Sequence, residues 1–153
     1  MEQKTTGELE KVLGKTHISD IGDYLENNKE SIIVNEYAFH NYMTDKIKEK
    51  NMRKQDVFLG ADIPEKYGYK LLSGEKHTKQ RDVILRICYS ANFNLQETQK
   101  ALKLYRMPEL YAKIPRDAMI MIAINERPGS IIDVNLFLKN NGVDILRPSG
   151  VQD

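Results

Sequence analysis

Nine side chains between residues 53 and 81 carry most of the chemistry this sequence offers, and it is the chemistry of binding. Glu65, Lys66, Tyr69 and Lys70 recur three and four residues apart, so they share one face of a short helix. Arg53, Lys54, Lys76, Lys79 and Arg81 flank that face as positive charges. Lysine donates to guanine O6 and N7, and glutamate accepts from cytosine N4, so the first four residues suit base edges of a G·C-containing duplex. The other five, with backbone amides at helix starts, suit a phosphate backbone. Tyr67 and Tyr69 could stack at DNA, although aromatics on a short amphipathic helix more often pack half-buried.

Bond-making chemistry finds no matching pattern. His17, His40 and His77 fall in three separate segments without metal-ligand spacing. Gly60 and Gly68 lack the Lys-Ser/Thr partner of a phosphate-binding loop. Neither a Gly-x-Ser-x-Gly elbow nor a His-Glu-x-x-His helix occurs. Asp117 and Asp133 have no histidine or second carboxylate nearby in sequence, and Asn125, Glu126 and Arg127 read as a polar helix end. The single cysteine, Cys88, excludes an intramolecular disulfide and a multi-cysteine metal site. It lies within Val83, Ile84, Ile87, Cys88 and Ala91, so a buried thiol in a reducing compartment is expected. The chain is expected to be no enzyme and to need no cofactor or metal.

A length of 153 residues with 41% hydrophobic content supports one core with helical extensions. The polar start Met1-Glu2-Gln3-Lys4 and the lack of a long apolar run argue against a signal peptide and a membrane span, so the expected location is the cytoplasm. Formal charge is only +1, but it is unevenly spread. Residues 1–44 hold four Lys and eight acids, 45–86 hold eleven Lys/Arg and seven acids, and 87–153 hold eight and seven. The surplus of +4 sits with the nine residues above, where a polyanion would be attracted.

Start and stop signals divide the chain into helices. Thr5-x-x-Glu8 is a capping box ahead of Leu9, Val12 and Leu13, with Gly14 as the stop, and Ser19 can cap a second helix to about Asn28. Asn35 opens a helix carrying Phe39, Met43 and Ile47 on one face and ending near Lys50-Asn51. Two short helices follow across a turn at Asp62, the later one spanning about 64–73 and closed by Gly74. Thr78 is expected to cap the next, and Asn94-x-x-Glu97 the one after. Pro115 starts a helix apolar on every side from Ala118 to Ile124, which calls for cover on every side. Ser130-x-x-Asp133 caps a last helix, stopped at Asn141-Gly142. The expected class is all-α: an acidic helical arm over 1–34, a helix-turn-helix unit over 35–108, and a helix pair with a short tail over 109–153.

Five helices, the second and third short and closed by Gly74, resemble the lambda-repressor-like (Cro/Xre) DNA-binding family of bacteria. The resemblance covers about residues 35–105. It runs through Lys54, Val57, Phe58, Asp62, Glu65 to Ser73, and Gly74. The family usually has a small residue at Phe58 and a bulky aliphatic at Gly68; exchanging both conserves volume where the two helices cross. It usually has a positive-φ glycine at Asp62, whereas Asp62-x-x-Glu65 also spells a capping box, and one residue cannot serve both. Lys54, Glu65 and Lys66 stand where the family often uses glutamine.

What the resemblance implies is a transcriptional regulator that binds double-stranded DNA as a homodimer, with the third helix in the major groove. With roughly five phosphates neutralised per protomer, log K should fall with log salt at a slope of about −4 to −5. The terminal helices are the candidate dimer surface. The alternative is a protein-interaction module, docking a partner or acting like an antitoxin, that keeps the scaffold without strong DNA binding. Near-neutral total charge and the missing glutamines favour that alternative, and the basic segment 45–86 favours DNA.

Overall fold

The computed structural model describes residues 5–14 and 37–148, and all regular structure among them is helical. The chain divides into two units, 1–36 and 37–153. In the first, α1 (Thr6–Leu13) begins with the expected capping box: the Glu8 amide donates to the Thr5 hydroxyl at 3.2 Å, and the Thr5 amide to the Glu8 carboxylate at 3.3 Å. None of its residues is buried. The expected helix from Ser19 to Asn28 and the Asn35 start lie outside the described residues, as does His17.

The second unit contains α2 (Ala38–Glu49), α3 (Lys54–Ala61), α4 (Glu65–Ser73), α5 (Arg81–Ser90), α6 (Leu95–Leu104), α7 (Pro115–Glu126) and α8 (Ile131–Asn140). Helix α5 is its axis. Every residue from Asp82 to Tyr89 is buried, because α3, α6 and α8 all pack on it. Helix α2 lies against α4 and α6, and α7 against α6 and α8. The filling between them is large and aliphatic or aromatic, with Met43, Phe58, Ile84, Ile87, Phe93 and Leu138 fully enclosed.

Five helices end by one device. Asn51, Asp62, Asn92, Arg106 and Gly142 take left-handed backbone with φ of 56°, 57°, 62°, 60° and 75°. The amide after each then reaches back to the carbonyl five residues earlier: Met52 to Ile47, Ile63 to Phe58, Phe93 to Cys88, Met107 to Leu102 and Val143 to Leu138. Each returning residue is apolar and packs on or within the core, which is the Schellman arrangement with its hydrophobic contact.

At helix starts the outcomes differ. The boxes at Asn94–Glu97 and Ser130–Asp133 form, and Pro115 holds the first position of α7. Thr78 does not cap α5. Its hydroxyl accepts from the Gln80 amide at 3.0 Å, closing a turn two residues short, and the helix starts at Arg81 with Gln80 as an uncapped boundary. Cover of α7 is incomplete: Ile120, Ala123 and Ile124 are buried, whereas Ile122 is 49% exposed.

The C-terminal helices are joined to α5 by a reciprocal pair of ion pairs. Arg81 and Asp82 open α5, and Arg116 and Asp117 open α7. Arg81 holds Asp117 through both terminal nitrogens, and Arg116 holds Asp82 at 2.9 and 3.1 Å. Remaining lone pairs are also used: Asp117 accepts from the Tyr111 amide at 3.0 Å and Asp82 from the Arg147 amide at 2.9 Å. Burying such pairs is tolerable only when their remaining hydrogen-bonding capacity is met in this way.

Candidate nucleic-acid interface

The α3–α4 turn settles which way α4 faces. Asp62 adopts φ 57°, ψ 49° and so ends α3, and Pro64 rather than Asp62 holds the N-cap position of α4. Pro64 precedes α4 in extended backbone and supplies no side-chain cap. The first-turn amides of α4 lie at the end of the helix where partial positive charge accumulates.

Inward, α4 sets Gly68, Leu71 and Leu72. A Cβ on Gly68 would stand 2.5 to 2.7 Å from three ring carbons of Phe58, so the ring occupies the space a side chain would need. The close approach of α3 and α4 depends on that glycine. Outward, Glu65 and Lys66 are exposed and Tyr69 is 43% exposed. The Tyr69 ring leans edge-on against Phe58, with centroids 5.1 Å apart, so its base is packed and its outer edge meets solvent. Tyr67 is half-buried against the core. Lys70 is half-buried too, with its ammonium 4.0 Å from the Glu75 carboxylate.

The proposed phosphate residues divide. Lys76 and Lys79 are exposed, and the Lys76 amide donates to the Lys70 carbonyl at 3.0 Å, tying this arm to the end of α4. The arm is also pinned to α6. The Thr78 amide donates to the Tyr105 hydroxyl at 2.9 Å, while His77 stacks on the Tyr105 ring at 4.4 Å. Arg53, at the start of α3, holds Asp56 at 3.0 and 3.3 Å. Both partners stay largely in solvent, so the pair is weak and exchangeable. Lys54 beside it is half-buried.

Arg81 is engaged within the protein. Sequence spacing put it on the basic arm, but its guanidinium is committed to Asp117 and to the carbonyls of Pro108 and Glu109. Withdrawing it would leave Asp117, 1% exposed, without its countercharge.

Two other arginines are structural. Arg86 is 4% exposed and donates to the carbonyls of Ala61, Leu146 and Arg147 at 3.1, 2.8 and 2.6 Å. Burial lowers its pKa, opposed by the more distant charges of Asp62 and Asp82. Its signal was an arginine inside the apolar run Leu85-Arg86-Ile87-Cys88. Arg127 stacks on Tyr89, 4.4 Å from the ring, and donates to the Tyr89 and Phe93 carbonyls, so the polar end of α7 is a joint. Among the described residues no group of His, Cys, Asp and Glu is placed to hold a metal ion, and burial pushes the Cys88 thiol far up. No described helix is long and apolar enough to cross a membrane.

No protein-family model, curated protein or solved structure matches this chain.

Proposed function

We propose that residues 37–108 form a lambda-repressor-like DNA-binding module, on which the C-terminal helix pair packs. Helix α4 would enter the major groove, and the protein would act as a transcriptional regulator in the bacterial cytoplasm. One observation carries the reading. Helix α4 packs on α3 where Gly68 meets the Phe58 ring, leaving Glu65, Lys66 and Tyr69 exposed to solvent. Glu65, Lys66, Tyr69 and Lys70 are assigned to base edges. Arg53, Lys54, Lys76 and Lys79 are assigned to phosphates, with Arg81 withdrawn from that set. Two copies on two half-sites are the expected working form.

Fluorescence anisotropy against a random duplex, titrated with salt, tests it. With four phosphates neutralised per protomer, log K should fall against log salt with a slope of about −3 to −4. Lys76→Ala with Lys79→Ala should flatten that slope by about 2. Absence of binding at low salt by the folded protein would overturn DNA recognition. It would favour the protein-docking alternative, which draws support from the acidic neighbours Asp56 and Glu75 beside Arg53 and Lys70.

A further inference from the structure

The arm that follows α4 meets the end of α6 at Tyr105, and both sides of that contact are basic. The Thr78 amide donates to the Tyr105 hydroxyl at 2.9 Å, and the His77 ring lies on the Tyr105 ring with planes 6° apart. Lys76-His77-Thr78-Lys79 on one side and Lys103-Leu104-Tyr105-Arg106 on the other hold four lysine or arginine side chains and no carboxylate. All four cations are exposed, and every ion pair among the described residues uses other groups. Arg106 stands out further. Of the five left-handed helix stops, Asn51, Asp62, Asn92 and Gly142 are residue types that take such backbone readily, whereas arginine at φ 60° does not. Arg127, the other left-handed arginine, is explained by the Tyr89 ring and the carbonyls of Tyr89 and Phe93. The Arg106 guanidinium has no such contact among the described residues. A disfavoured backbone that no internal contact explains points to a contact outside the molecule.

We propose that Lys103 and Arg106 carry the phosphate-binding face from the arm onto the end of α6, as two further contacts to a DNA backbone. The inference rests on the DNA reading above and adds residues that reading does not assign. A guanidinium fork grips two oxygens of one phosphate, which suits arginine to the outermost position. The dipole of α6 accounts for a cation at Lys103, in the last turn, but not for the choice of residue at the left-handed stop beyond it. An acidic protein partner fits less well. None of the exposed large hydrophobic side chains lies in either basic segment, so a protein interface would lack its anchors, whereas phosphates need only the cations.

The test is binding of the full chain to a random duplex across a salt series. Six contacts in place of four give the parent a slope of about −5. Lys103→Ala with Arg106→Ala should flatten it by about 2, with circular dichroism unchanged, while Lys139→Ala on α8 should leave it as it is. Arg106→Gly separates binding from backbone. Glycine suits the positive φ, so the melting temperature should rise while the slope flattens by about 1, two readouts that a merely structural arginine would not move apart. Duplex binding whose slope ignores Lys103→Ala with Arg106→Ala, or flattens as much in Lys139→Ala, overturns this site and leaves the DNA reading standing. Absence of binding by the folded parent at low salt overturns both.

Discussion

Phe58 and Gly68 show how one residue's absence of a side chain determines another's position. Gly68→Ala puts a carbon within 2.7 Å of the Phe58 ring, and neither helix can yield without opening the core. Overpacking of this kind costs about 1–3 kcal/mol, less the helix-propensity gain of roughly 1 kcal/mol from replacing glycine. Adding Phe58→Leu should recover part of the loss, giving a coupling of about 1 kcal/mol in a urea-denaturation double-mutant cycle. The exchange of large and small residues was legible in sequence because both lie in adjacent helices of known register. Arg81 was not, since its partner Asp117 lies 36 residues further on. Arg81→Ala should destabilise the protein by about 3 kcal/mol, the low end for a broken buried pair because the arginine keeps some solvent. It should leave the salt slope of DNA binding unchanged. A slope flattened by about 1 with stability intact would return Arg81 to the phosphate set.

The helices themselves were largely readable, and their ends less so. Capping boxes at Thr5, Asn94 and Ser130 announce themselves locally, by a side chain three residues from its partner. The stops at Asn92 and Arg106 do not, because neither is glycine and the left-handed turn is imposed by Phe93 and Met107 returning to the core. Thr78 misled because its hydroxyl had a nearer amide to serve. Across elements, α2 and α6 are tied by Glu97, which accepts from Lys50 at 2.8 Å and lies 3.6 Å from Lys46. Burial pushes its carboxyl up, but hydrogen bonds from Lys50 and the Asn94 amide, with the charges of Lys50 and Lys46, outweigh this and hold it below the usual range. A depressed carboxylate stabilises the fold above its unfolded pKa of about 4.3, and that contribution is lost as pH falls through the lower folded value. The urea midpoint should therefore drop on acidification from about pH 5 to pH 3, more steeply in the parent protein than in Glu97→Gln. Equal slopes would remove Glu97 from the account.

At the scale of the molecule, the expected boundary near residue 108 runs through the reciprocal Arg-Asp pairs. Residues 37–153 form one unit, and α5 depends on both sides of that line. A variant ending at residue 108 loses Arg116, Asp117 and the 146–147 carbonyls at once, stranding Arg81, Asp82 and Arg86. It should melt without a cooperative transition by circular dichroism, and a sharp melt would show that residues 37–108 stand alone. The α3–α4 half was legible because its signals are local; the half that holds it in place is written in contacts across sixty residues, which periodicity does not carry. Arg86 sits in the central helix, yet the carbonyls that receive it come from Leu146 and Arg147. On a translating ribosome the hub of this protein is thus made long before its last acceptors emerge. Nascent helices must wait in a half-assembled state, with a guanidinium still in water, until the polypeptide has grown past Arg147.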